Sequence, residues 1–98
     1  MPDKDAYEIV RVKRRWQLFE HGEGGSLRLT QDGSLSVTVK RPIAAKGGPT
    51  PPWVVVFGGV RIARLRAELP LERAQALAVD LAASRCRDAV EALTEVMQ

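Results

Sequence analysis

The hydrophobic period of this chain changes once, after Leu69, and that change constrains the fold more than any other feature. Upstream, apolar and polar residues alternate at period two, as in Leu27-Arg28-Leu29 and Leu35-Ser36-Val37-Thr38-Val39, the signature of half-buried strands. Downstream, Leu71, Ala74, Leu77, Ala78, Leu81, Ala82, Cys86, Val90, Leu93 and Met97 form one stripe at a helical period of about 3.6 residues. Neither Gly nor Pro interrupts the run to Gln98. Pro70 suits a helix start, where its missing N–H has no partner to lose. Glu68 and Glu72 lie near the positive end of the helix dipole. The pattern predicts a single α+β domain of two layers. An antiparallel meander sheet of four or five strands lies within residues 7–66, with a loop over 41–52, and one long C-terminal helix over 70–97 packs on one face.

Two hairpins organise the strands. A two-residue turn at Asp32-Gly33 would set leucines against the wrong face, whereas a three-residue loop pairs Thr30 with Ser34, Leu29 with Leu35 and Leu27 with Val37. That loop places Gly33 where a left-handed backbone is required. In the second hairpin Gly58-Gly59 turns the chain and pairs Phe57 with Val60. Strict alternation then puts Trp53, Val55, Phe57, Val60 and Ile62 on the core face, and Val54, Val56, Arg61, Ala63 and Leu65 on the outer one. The first strand falls within Tyr7 to Glu20. Val10, Val12, Trp16 and Leu18 point inward, and Arg11, Lys13, Arg15, Gln17 and Phe19 outward. Arg14 breaks this pattern, as a bulge or with its stem snorkelling past the core edge. A four-residue turn, His21 to Gly24, would pair Leu18 with Leu27 and Trp16 with Leu29. Four prolines and two glycines between Arg41 and Pro52 mark a loop.

The inventory for chemistry is thin. At 45% hydrophobic and 28% charged, the 98 residues have a folded chain's composition, and no apolar run is long enough to span a membrane. The charged N-terminus has no signal-peptide segment, and one cysteine points to a reducing cytoplasm. His21, the sole histidine, sits in a glycine-rich turn without a nucleophile-elbow sequence. His21-Gly22-Glu23 matches half of a zinc deaminase signature, and the P-C-x-x-C half is absent. Gly22-Glu23-Gly24-Gly25 lacks the third glycine and the following helix of a dinucleotide fingerprint; Lys46-Gly47-Gly48 lacks P-loop spacing. Cys86, on the apolar stripe, reads as a small core residue. No cofactor, metal or enzymatic activity is expected.

Charge is more informative. Residues 1–66 carry twelve Lys or Arg and six Asp or Glu, whereas residues 67–98 carry three and six. No acidic residue occurs from Gly33 to Ala67, where Lys40, Arg41, Lys46, Arg61, Arg64 and Arg66 all fall. A basic front and an acidic helix suggest an anionic partner on the sheet side. The expected nucleic-acid or anion contacts are Arg11, Lys13, Arg15, Arg28, Lys40 and Arg61 on the outer face. That face suits a single strand read largely without regard to sequence, a charged track that is poor in aromatic platforms. The acidic helix does not suit a duplex groove.

The competing expectation is a protein-interaction adaptor or inhibitor, of a kind phages and mobile elements encode, docking on an acidic or apolar surface of a larger machine. Val54, Val56 and Leu65 would form its apolar contact patch. A helix from Leu71 to Met97 is about 40 Å long, whereas an eight-residue strand such as Ser34 to Arg41 covers about 27 Å. The last two or three turns should therefore overhang the sheet with Val90, Leu93 and Met97 uncovered, and a second copy, making a homodimer, is the simplest cover.

Overall fold

The computed structural model describes residues 15–98 and contains five strands and one helix in the predicted order. The strands are β1 (Trp16–Leu18), β2 (Glu23–Arg28), β3 (Ser36–Arg41), β4 (Trp53–Phe57) and β5 (Val60–Leu65), and the helix is α1 (Leu71–Met97). Each strand pairs antiparallel with its neighbour in sequence, giving the order β1-β2-β3-β4-β5. The architecture is the α+β meander with one long helix packed against it. Among the described residues no helix is long and apolar enough to cross a membrane. Arg11 and Lys13, with the start of the expected first strand, lie outside the described residues.

The β2–β3 hairpin has the register that alternation requires. Leu27 pairs with Val37, and the Leu29 N–H donates to the Leu35 carbonyl at 2.9 Å. Gly33 closes the turn at φ 75°, a conformation that costs residues with a Cβ. Asp32 Oδ1 accepts from the Ser34 N–H at 3.0 Å, the Ser34 hydroxyl at 2.7 Å and the Thr30 hydroxyl at 2.8 Å. These donors, the Ser34 backbone first, hold the Asp32 carboxyl down at about 2.

Two registers differ from those expected. Leu18 pairs with Gly25 and Trp16 with Leu27, two residues from the expected match of Leu18 with Leu27. Glu23 and Gly24 therefore belong to β2 rather than to the turn, which closes with the Phe19 N–H donating to the Gly24 carbonyl at 3.0 Å. The cause is steric. A Cβ on Gly24 would lie 2.0 Å from the Val39 carbonyl oxygen, and one on Gly25 would lie 3.2 Å from Leu18 Cδ2. Only glycines allow β2 this approach to both neighbours.

The second departure is a bulge. Phe57 pairs with Val60 and Val56 with Arg61, as the glycine turn predicts, but Val55 pairs with Ala63, so Ile62 is one residue extra. Beyond it the faces of β5 exchange. Ala63 and Leu65 turn to the core and pack beside the buried cluster, while Arg64 joins Arg61 on the outer side. Val60, expected in the core, is 61% exposed.

The core lies between the sheet and the first half of α1. Leu27, Val37, Val39, Trp53 and Val55 meet Ala74, Ala78 and Ala82, whose four-residue spacing keeps one narrow strip of small side chains against β3. Pro70 caps the helix in extended conformation, and its carbonyl accepts from the Ala74 N–H at 3.0 Å. The Trp53 indole N–H donates to the Leu69 carbonyl at 2.9 Å and fixes the chain just before the helix. Arg41 stacks 3.9 Å from the centre of the Trp53 ring, pairs with Glu23 at 2.8 Å and donates to the Ala67 carbonyl. That arginine, drawn from the acid-free stretch, holds the fold together on the helix side of the sheet.

Candidate functional site

Register arranges the outer face as rows across the strands. One row runs Gly24, Lys40, Val54, Arg64; the next runs Gln17, Ser26, Thr38, Val56, Arg61; a third holds Arg28 and Ser36. None of these strand positions is acidic. Neighbouring strands lie about 4.8 Å apart, so Lys40 and Arg64 stand roughly 10 Å apart at the backbone, with Val54 between them. Lys40, Arg61 and Arg64 are exposed, as is Arg15 just before β1. Ser26 Oγ and Thr38 Oγ1 share a hydrogen bond of 3.1 Å in the middle of the face.

Arg28 is exposed but bent towards the turn, where it donates from Nε to the Thr30 carbonyl at 3.1 Å and from its terminal nitrogen to the Gln31 carbonyl. It braces the hairpin with two of its five donors.

The apolar patch expected at Val54, Val56 and Leu65 does not assemble. Val54 is only 6% exposed, with Lys40 and Arg64 paired to it on either side. Val56 is half-buried, and the bulge carries Leu65 to the core face opposite Trp53. In its place the bulge supplies Arg64, which strict alternation assigns to the core side. The clue is the order Arg61-Ile62-Ala63-Arg64: two apolar residues in succession between arginines three apart. One extra residue sends both arginines outward.

At one end of the face a shallow cleft brings together Phe19, His21, Gly22, Lys40 and Pro42, with Glu23 on its wall. Phe19 is 38% exposed. Gly24, whose carbonyl accepts from the Phe19 N–H, pairs with Lys40 across the strands. Sequence reasoning placed Phe19 outward but treated His21 as a solvated turn residue. Their juxtaposition depends on the two-residue register shift of β1, which alternation does not reveal. Glu23 is engaged by Arg41, so its charge in the cleft is balanced.

The other predicted contacts lie on the helix. Val90, Leu93 and Met97 are 62%, 61% and 84% exposed, and every residue from Arg85 to Gln98 is exposed. The overhang is therefore closer to four turns than to two or three, because β3 has six residues rather than eight. Cys86 falls on this part and is exposed rather than in the core. Comparison with known proteins returns no matching family model, curated relative or solved structure.

Proposed function

We propose that this chain is a non-enzymatic cytoplasmic binding module whose outer sheet face takes single-stranded nucleic acid through its phosphates, with little dependence on sequence. The observation that carries this reading is a face on which, among the described residues, no strand position is acidic and Lys40, Arg61 and Arg64 stand exposed in adjoining rows. Single-strand binders join such a track to an aromatic platform. Phe19 and His21, beside Lys40 in the cleft, offer one platform at the end of the track. The apolar contact that a protein adaptor would need on the same face is diminished, with Val54 covered and Leu65 turned inward. Hence the nucleic-acid reading is favoured over docking on an apolar protein surface.

Fluorescence anisotropy with labelled oligothymidylate across a salt series tests it. Affinity should fall steeply with salt, with a log–log slope of about −0.7 per phosphate neutralised. Arg61→Ala with Arg64→Ala should flatten that slope by roughly one to one and a half units. Phe19→Ala should weaken binding by about tenfold or more while leaving the slope alone, since stacking releases no counterions. Absence of binding at low salt would overturn the reading and turn attention to an acidic protein surface.

A further inference from the structure

A second pattern runs from the covered half of α1 out along the overhang. Val79, Ala83, Cys86, Val90, Leu93 and Met97 follow spacings of four, three, four, three and four residues, a strict 3.5-residue seam of the kind that pairs helices. This seam runs beside the strip of Ala74, Ala78 and Ala82 that faces the sheet and is distinct from it. At its sheet end it opens on an apolar cleft lined by Leu29, Val37, Phe57, Val79 and Ala83. At its free end stands Met97, 84% exposed, a flexible side chain able to fill irregular apolar gaps.

We infer that the occupant of this seam is a second copy of the same chain, laid antiparallel. With Met97 of one copy against Val79 of the other, Leu93 meets Ala83 and Val90 meets Cys86, and two-fold symmetry repeats each layer. The paired length from Val79 to Met97 is about 27 Å. Met97 then enters the apolar cleft at the edge of the other copy's sheet. The same symmetry sets the sheet of each copy beside the bare overhang of the other, where Val96 is 82% exposed.

Charge selects both the partner and the direction. Along the overhang Arg85 and Arg87 come first, with Asp88 turned to the side of the helix opposite the seam, and Glu91 and Glu95 come last. Parallel pairing would bring the two basic starts to one end and the two acidic ends to the other. The antiparallel register instead places Arg87 of each copy within reach of Glu91 of the other, on the flank away from the sheets. The C-terminal end of the helix carries acidic residues against its own dipole, with no basic residue in its last turn. The second copy brings its arginines towards that end.

Sedimentation equilibrium of the wild-type chain into the high micromolar range should show a dimer, and Leu93→Asp a monomer with unchanged far-ultraviolet circular dichroism. Arg87→Glu and Glu91→Arg should each weaken self-association roughly tenfold, since each replaces two attractive pairs by repulsive ones. An equimolar mixture of these two variants should recover the wild-type affinity as a heterodimer, counted by native mass spectrometry. A wild-type chain that stays monomeric overturns the inference. A mixture no tighter than its components overturns the antiparallel register. If Leu93→Asp weakens oligothymidylate binding while the wild type is monomeric, the seam belongs to that ligand and not to a second copy. The dimer and the phosphate track stand on opposite sides of the molecule, so either reading fails without the other.

Discussion

Between Leu71 and Ser84, α1 lies on β3, β4 and β5 and buries Ala74, Ala78 and Ala82; between Arg85 and Gln98 the same helix buries nothing. The side chains along the two halves are matched to those surroundings in opposite ways. Where the helix is covered, its contact residues are the smallest available. The sheet beneath supplies the volume through Trp53, Val37, Val39 and Val55, so the helix axis can approach closely. Where the helix is bare, its stripe is built from Val90, Leu93 and Met97, the larger residues. A helix that merely projected into water would be served by Ala, Glu and Lys along its whole circumference. The large residues of the bare half are those that the inferred second copy would cover, whereas the small ones of the covered half fit a contact already made with the sheet.

The sharpest way to break this comparison is to place one charge in each half. Ala78→Asp should cost on the order of 3–5 kcal/mol, enough to unfold a domain of this size, because the carboxylate has no partner between helix and sheet. Leu93→Asp should change the stability of the dilute monomer by about 1 kcal/mol or less. Thermal denaturation at low micromolar concentration measures both. Equal effects would show that the overhang is covered within one chain.

A smaller change probes how the covered half is anchored. Trp53→Phe retains a large ring in the core but leaves the Leu69 carbonyl without its 2.9 Å donor. The expected cost is about 1–2 kcal/mol. Hydrogen exchange should quicken at the start of α1 and stay unchanged beyond Arg85, where amides already open locally. A uniform change along the helix would contradict the division into halves.

The smallest effect lies in acid and concerns the sheet alone. Asp32 has its carboxyl lowered from 3.8 to about 2 by the Ser34 and Thr30 donors. A depressed carboxylate contributes stability that is fully present above its unfolded value and is lost as pH falls through its folded one. Between pH 4 and pH 2 the wild type should therefore lose a small increment of stability that Asp32→Asn does not. The titration of the Asp32 side chain by NMR gives the midpoint directly, and the overhang should show no accompanying change.

Much of this was legible in the residues. The change of period located the helix, and the alignment of Leu27 with Val37 chose the three-residue hairpin, because a slip of one would expose every leucine at once. The face of β5 was harder. Alternation counted from Gly59 assigns Leu65 outward, and only the adjacent pair Ile62-Ala63 between two arginines hints that the count must skip a residue. The glycines of β2 misled for a different reason. Gly24 reads as the end of a turn, yet it and Gly25 let β3 and β1 come near, a tertiary demand that leaves no local trace. Cys86 and the covered Val54 depended on strand length and on neighbours across strands, neither of which a single stretch of sequence encodes. The basic outer face was visible as an acid-free stretch; its composition was not. Arg41 leaves it to hold Trp53 and Glu23, and Arg64 enters it through the bulge.

The order of the strands also bears on how the chain folds. Each strand of the meander is bonded to the one before it, so the ends to be brought together are never far apart along the chain. The widest gap, from Pro42 to Pro52 between β3 and β4, costs little more to close than the tight turns, since closure entropy grows only with the logarithm of length. Low contact order of this kind favours fast folding through successive hairpins. The central strand β3 must be in place before α1 has a surface on which to lie, because its contacts with the helix are the most extensive. The covered half of the helix thus depends on a completed sheet for its place, and the far half does not.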